Sequence, residues 1–463
     1  MAAVAASPTH ALAEFAATLT FDHLPIQAVA TLKAMVLDSL GCAIAATTLG
    51  DGCRETVAVM RALGGKPDCT IIGCVDKVSA PNAAFANGAL VHALNYDPIG
   101  SEIGHSGVVC LAAPLAMAET VGGITGAEFL AAVAAACEVS ARITAAIART
   151  GRRPSEKFLS GQLLSYFGAA SGAGRVLGLD TAQMRSALGL ALMQMAGSRQ
   201  IVLSGDPPAK AIYGAFPNQA GVLAALLSRR GLSADCNVTG EPAGLYPAIY
   251  GGACDAGTLA EGLGSQFLFN DVEFKPWPAS NQVHAAIEAA AEIASAGLDA
   301  ASIAAVEIAA SGTFRPWCEP IEKRRRPENG AAAGNSIPFC VAKTLVHGDL
   351  KLSDFTAEGL QDESALALAA RTTCRFDDTV KGAAVNVATR DGQFIRSQVE
   401  VPLGHRSRSV SRDRLIEKFR DCCRHAGWDM APASVDLLIA TIDGLERLDD
   451  VRGIATLVAG RAD

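Results

Sequence analysis

Asp97, Ser101 and His105 fall four residues apart on a stretch that follows an alanine-rich segment, breaks at Pro98 and Gly100, and runs into an apolar stretch from Val108 to Ala118. A carboxylate, a hydroxyl and an imidazole on a short loop pinned between two packed helices can be fixed in place without exposing the whole backbone, which suits acid–base work. His105 is one of eight histidines, and imidazole is the side chain whose proton affinity lies nearest neutral pH. The same residues also fit a plain helix end with solvated polar side chains, and spacing alone leaves that open.

Three further segments carry groups able to hold an organic anion. Ser204-Gly205-Asp206-Pro207-Pro208-Ala209-Lys210 leads into a helix around Ala220–Leu227 and carries Lys210, with Tyr213 beyond it. Phe274 to His284 carries Lys275 at a strand end, then Asn281, then His284 at a helix start, where helix-terminal amides can also hold an anion. Asn335-Ser336-Ile337-Pro338-Phe339 opens another helix. Taken singly, a lysine before a helix is ordinarily solvated, and a histidine at a helix start ordinarily caps or packs it.

The elements that must position these groups are mostly helices. Apolar residues recur at three and four spacing over Ile26–Thr47, Cys53–Leu63, Ala84–Asn95, Ala127–Arg149, Thr181–Met195 and Ala220–Arg229. Beyond Phe267 the character changes: Val272–Lys275, Ile303–Ala310, Ala383–Thr389 and Phe394–Val401 read as strands, the last two joined through Arg390-Asp391-Gly392 as a hairpin with a D-G turn. Helices Val283–Ala296 and Ile337–His347 alternate with them, and Ser411–Ala426 and Ala433–Ile442 return to helix. The expected fold is mainly α with an α+β part: a large all-helical domain from residues 1–266 and 405–463, with a smaller α+β lid domain, 267–404, inserted in it. A chain that crosses twice between two units leaves a cleft between them, where small ligands bind. Arg324–Gly334 reads as a mobile basic, Gly/Ala-rich loop.

Composition narrows the function. The 463 residues exceed what one core holds, roughly 250 to 300. Half are hydrophobic and only 5% aromatic, so the core is built from small aliphatic side chains and closely packed helices. A net charge of −8 argues against a nucleic-acid partner, yet allows an anionic small molecule at a local cluster of lysines. Thirteen cysteines without a C-x-x-C pair or metal-ligand spacing suggest reduced thiols in a cytoplasm. The uncharged stretches Ser79–Tyr96 and Ala211–Ser228 contain Pro, Asn and Gly and do not read as membrane spans, and Met1–Phe15 lacks a secretory signal's basic start. The glycine-rich runs at Gly168 and Gly251 lack the strand, phosphate turn and acidic partner of a dinucleotide site. No cofactor and no metal are expected.

The stretch Ala84-Phe85-Ala86-Asn87-Gly88-Ala89-Leu90-Val91-His92-Ala93-Leu94-Asn95-Tyr96-Asp97, with Ser101 and His105, resembles the MmgE/PrpD family, whose members include 2-methylcitrate dehydratases, cis-aconitate decarboxylases and iminodisuccinate epimerases. Phe274 to His284 is similar to the family's K-P-Y-x-x-C-R-x-x-H element, and the likeness runs from the N-terminal helices to Arg414–Phe419. The resemblance implies the helical domain with an inserted lid, a homodimer, and a cofactor-independent lyase or isomerase acting on a small di- or tricarboxylic acid. It implies Asp97, His105, Lys210, Lys275 and His284 as catalytic residues, with Ser101, Tyr213, Asn281 and Ser336 at the substrate. His105 would be the base or acid, Asp97 would orient it, and Lys210, Lys275 and His284 would bind and polarise a carboxylate. Dehydration, decarboxylation and epimerisation share a proton transfer beside a carboxylate, which needs an acid, a base and cations to stabilise an enolate.

The chain departs from the family at several positions. The D-x-D-D pattern reads Asn95-Tyr96-Asp97-Pro98, and Tyr213 stands where many relatives have His. Asn281 replaces a frequent Arg, removing a bidentate clamp and pointing to a substrate with fewer carboxylates. Phe158-Leu159-Ser160-Gly161 occupies the place of an H-P-T-G segment, with only Arg152, Arg153 and Lys157 as nearby cations, and Phe339 takes the place of the decarboxylases' Tyr. Losing one catalytic acid or base typically costs ~10² to 10⁴ in rate. A 2-methylcitrate dehydratase-like lyase, a decarboxylase or epimerase on a related acid, and an inert binding protein retaining the fold therefore all stand open here.

Overall fold

The computed structural model describes residues 7–100, 102–153, 157–204 and 207–460. Helices dominate, and one small mixed sheet lies in the second half of the chain.

The first apolar core is assembled by helices from both ends of the chain. Ile26–Leu49 and Gly126–Ala148 are long and apolar enough to cross a membrane by length and composition, yet 78% and 100% of their apolar windows are buried inside the fold. The Gly126–Ala148 helix begins with a capping box, Thr125 Oγ1 accepting from Glu128 N (3.2 Å) while Glu128 Oε2 accepts from Thr125 N (2.9 Å), so two otherwise unpaired amides are satisfied. Its buried Arg142 pairs with Glu138 at 2.7 Å and donates to the carbonyls of Thr258, Glu261 and Gln266. Four of its five N–H donors are thereby placed on oxygens, which lets a charge sit in the core. Phe419, Leu438, Ile442 and Ile454, from the C-terminal helices, join this core.

A second core runs from Trp277 to Val399. Its sheet has the order β2-β1-β3-β4, with β1 Ile303–Ala310, β2 Thr372–Phe376, β3 Ala383–Thr389 and β4 Phe394–Val399. Strand β1 pairs parallel with β2 and antiparallel with β3, and β3 pairs antiparallel with β4. A parallel pair needs a long crossover, which the helices between Arg315 and Ala369 supply. Strand β3 is buried along nearly all its length, whereas β4 alternates and keeps Arg396 outward as an edge strand does. Thr389 and Gln393 close the hairpin, and Gly392, at φ +90°, supplies the left-handed residue of its three-residue loop.

Two expectations need correction, and one strand was not expected. Val272–Lys275 forms no strand; a 3₁₀ turn at Leu268–Asp271 precedes a single bridge between Ile99 and Glu273, and Pro276 and Pro278, which carry no N–H, stop the pairing from extending past Lys275. Strand β2 was not anticipated, since Thr-Thr-Cys-Arg-Phe is too polar to read as a buried strand. Arg324–Gly334 is not a plain loop: helical turns at Ile321–Arg325 and Gly330–Ala333 occupy much of it, the second capped by Asn329 Oδ1 on Ala332 N at 2.8 Å.

Candidate active site

The Ala80–His92 helix ends on a histidine. Three residues on, Asn95 takes a left-handed conformation (φ +50°), alone among the described non-glycine residues; Asn tolerates that region better than most side chains. The turn is held from outside, Lys275 Nζ donating to Asn95 O at 2.7 Å and to Asn95 Oδ1 at 2.8 Å. It delivers Asp97 into the interior, fully buried. The chain then folds back, Gly107 N donating to Pro98 O at 3.1 Å, which sets His105 at the head of the Ser106–Cys110 helix. Ser101 lies outside the described residues.

Asp97 lies between two imidazoles. Its Oδ1 is 3.0 Å from His92 Nδ1 and its Oδ2 is 3.6 Å from His105 Nδ1, with the two rings near perpendicular at 83°. The first contact is a hydrogen bond that fixes the proton of neutral His92 on Nδ1 and leaves Nε2 as the basic nitrogen; the second is an ion-pair distance, and Asp97 Oδ2 and His105 Nδ1 are both buried without a hydrogen-bond partner. Burial pushes the Asp97 carboxyl up, but His92, His105 and the Lys275 ammonium outweigh it and hold the group well below the usual carboxylate range. Burial pulls His92 down to about 4 and lowers His105 as well, in both cases against the pull of Asp97. At neutral pH the cluster is therefore a carboxylate with two uncharged, base-competent imidazoles. The three ligand atoms lie within 4.8 Å of one another and could also hold a divalent cation.

Tyr213 closes the other side. Gly88 and Gly214 bring the turn that carries it, just before the Ala215–Arg229 helix, against the His92 helix: a Cβ on Gly88 would stand 2.6 Å from Gly214 O, and one on Gly214 would stand 2.6 Å from Gly88 O. That approach stacks the Tyr213 ring on His92 at 3.9 Å and sets it edge-on to His105 at 5.9 Å. Gly161 completes the space, since a Cβ there would meet Tyr213 Oη at 2.5 Å and His105 Cδ2 at 2.7 Å.

Two cavities flank the cluster. One, between the two cores, is lined by His92, Asn95 and Lys210 on one wall and by Pro278, Ala331, Leu352 and Phe355 on the other. A second is lined by Lys275, Asn281, His284, Glu273 and His405. Lys275 is buried in the wall beside both Asn95 and His284; burial lowers it to about 8, with Lys210 and Lys418 adding to the effect.

The predicted residues thus divide. Asp97, His105, Tyr213, Lys210 and Lys275 surround one centre. His284 faces the second cavity, its Nε2 3.2 Å from Ala279 O and its ring edge-on to Trp277; burial drives it down to about 3, so it is a neutral group at physiological pH. Asn281 donates to Glu273 Oε2 at 3.1 Å. Ser336 caps the Ile337–His347 helix, accepting from Phe339 N at 3.2 Å and donating to Arg324 O, which occupies its hydroxyl with backbone. Phe339 is buried in the second core.

Sequence reasoning passed over His92 and Asn95. His92 could have been found: it ends the helical pattern five residues before Asp97, close enough for one turn to bring the two together. Nothing local marks Lys418, whose role depends on contacts across the chain.

Against known proteins, the chain matches the model of the MmgE/PrpD N-terminal domain over residues 10–257 and that of the MmgE/PrpD C-terminal domain over 277–431. It is 24% identical to a cis-aconitate decarboxylase of Aspergillus terreus, covering 97% of this chain and 95% of that protein. It is 23% identical to the Homo sapiens cis-aconitate decarboxylase, covering 96% and 92%. A 2-methylcitrate dehydratase of Salmonella typhimurium is 26% identical over 83% of this chain and 84% of its own length.

Proposed function

This chain belongs to the MmgE/PrpD family and is an enzyme of the dehydratase and decarboxylase type, and from that premise we propose that it moves a proton at the carbon next to a carboxylate of a small organic acid, without a cofactor. The observation that carries this reading is Asp97 holding two neutral imidazoles beside the Lys275 ammonium. A base of this kind abstracts a weakly acidic C–H proton only if the resulting enolate is stabilised as it forms. Lys210 and Lys275 supply that positive charge from the walls of the site. Asp97 orients the imidazoles and stabilises the imidazolium that His105 becomes.

The same groups serve three reactions. In dehydration the enolate collapses with loss of the β-hydroxyl, which takes a proton from an acid of the site and leaves as water. In decarboxylation no proton is abstracted first: the C–C bond to the departing carbon dioxide breaks, its electron pair is held as the enolate, and an acid of the site protonates that carbon. In epimerisation the proton returns to the opposite face. We favour dehydration of a 2-methylcitrate-like acid, with fewer carboxylates than a full clamp would accept: the second cavity presents Glu273 held by Asn281 where a guanidinium would attract an acid group. The enzyme in this reading is a cytoplasmic homodimer. Phe216, Leu223 and Leu227 support the dimer, lying on one exposed face of the Ala215–Arg229 helix at helical spacing.

The test is deuterium incorporation, followed by NMR, into a panel of citrate-like and amino-diacid compounds. Exchange that disappears in His105→Ala supports the reading. Binding without exchange identifies an inert carboxylate-binding protein, and exchange at the parental rate in His105→Ala removes that residue from the chemistry.

A further inference from the structure

Lys418 comes from the Arg412–Arg424 helix near the C-terminus, more than a hundred residues from Asp97, His105, Lys210 and Lys275, yet it is buried behind the candidate site. Its ammonium is 2.7 Å from Asp38 Oδ1, donates to Tyr96 O at 2.7 Å and to Lys275 O at 3.2 Å, and lies 3.6 Å from the Tyr96 ring centroid. The ammonium thus donates to two backbone carbonyls and is ion-paired with the Asp38 carboxylate. Those carbonyls belong to segments that carry reacting groups: Tyr96 precedes Asp97, and Lys275 is itself a site cation. The same segments are tied again by Tyr96 Oη donating to Pro276 O at 3.1 Å and by Lys275 Nζ on Asn95.

We propose that Lys418 is a positioning residue, a buried ammonium clamp that fixes the Tyr96–Asp97 backbone relative to the Lys275 segment and so sets the spacing between the imidazole pair and the enolate-stabilising cation. The physical reason is directional. Neither segment belongs to a regular element where it carries the site group: Asp97 follows a left-handed turn, and Lys275 stands between a lone bridge and a proline-rich bend. Irregular backbone has no ladder to hold it, and a single buried cation with a fixed counter-charge on the Ile26–Leu49 helix supplies the missing restraint. Asp38 orients the clamp and belongs to the rigid first core. The clamp thus also makes the site dependent on the C-terminal helix, which contributes no group to the chemistry.

The inference rests on the proposed proton-transfer reading for its effect on rate, but not for its effect on geometry. Removing Lys418 alone would leave Asp38 as an unpaired buried carboxylate and endanger folding. Two other variants avoid this: Asp38→Leu/Lys418→Met, which removes both charges, and Lys418→Arg, which keeps the charge but presents a rigid planar fork in place of the compact ammonium that reaches both carbonyls and Asp38. In folded protein of either kind the expected results are loss or broadening of the downfield ¹H signal of His92 Nδ1–H bonded to Asp97, and a fall in the exchange kcat on the order of 10²-fold with KM changed far less, as a misplacement near 1 Å produces. A parental His92 signal in either folded variant overturns the clamp whether or not a substrate has been found. A lost signal together with no exchange activity in the parent enzyme leaves the clamp standing and overturns the proton-transfer reading instead.

Discussion

Tyr213 stacks on His92 at 3.9 Å between ring centroids with its hydroxyl turned toward Gly161 and the edge of His105, and among the described residues that hydroxyl has no hydrogen-bond partner. A phenol hydroxyl that makes no hydrogen bond adds nothing to the fold that a phenyl ring would not, so its presence points to a reason other than folding. Tyr213→Phe is expected to leave the melting temperature unchanged or slightly raised while lowering proton-exchange kcat by about 10²-fold. Calorimetry and exchange NMR on the same preparation check both halves; a stability loss with parental kcat would make the hydroxyl structural.

The pH profile follows from two groups with opposite requirements. The base must be unprotonated, and burial lowers His105 below its ordinary value, so activity rises as pH increases through a point below about 6.5. Lys275 must stay protonated to stabilise the enolate, and burial brings it to about 8, so activity falls as pH passes that value. The expected kcat/KM profile is a bell with its alkaline limb near 8. Lys275→Arg should carry that limb out of the measurable range, and a profile that stays flat through pH 9.5 (roughly 1.5 units above it) would remove Lys275 from the ionisations that matter.

The fold was legible where local pattern and tertiary demand agree. Ile303–Ala310, Ala383–Thr389 and Ile337–His347 appear with the bounds their patterns indicate, because largely buried strands and a buried helix write their environment into consecutive residues. Strand β2 was not legible, because it is held by pairing with β1 rather than by its own composition. The site was legible residue by residue through family resemblance, but its internal division was not. That Lys275 lines the second cavity while holding Asn95 of the first, and that His284 and Ser336 turn toward backbone carbonyls, depends on contacts between segments far apart in sequence.

The close approach of Gly88 to Gly214 places the His92–Tyr213 stack. A methyl group at Gly88 would meet Gly214 O at 2.6 Å and Asn218 Nδ2 at 2.9 Å, and because the first obstacle is backbone, the helices must separate. Gly88→Ala is expected to destabilise the protein by about 1 to 3 kcal/mol and to lower kcat more than Ala86→Gly on the same helix, since only the former moves His92 away from Tyr213. Denaturant melts and kcat measured side by side distinguish this from a general loss of helix stability.

Asp97 is where a carboxylate that orients imidazoles and a carboxylate that ligates a metal make different predictions. If it orients, Asp97→Asn presents an amide that can donate to His92 Nδ1 and so favours the wrong tautomer, and kcat should fall on the order of 10⁴-fold as it does in other carboxylate–imidazole pairs. Exhaustive chelation should leave the parent's activity intact, and added zinc or manganese should not rescue the variant. If His92, Asp97 and His105 hold a divalent cation through the three atoms that lie within 4.8 Å, chelation abolishes activity and re-metallation restores it. The 3.0 Å separation of His92 Nδ1 from Asp97 Oδ1 is a hydrogen-bond length, and it favours the first outcome: full activity in a metal analysis showing less than about one tenth of an equivalent of bound transition metal per chain, since a metal-dependent site would need close to one.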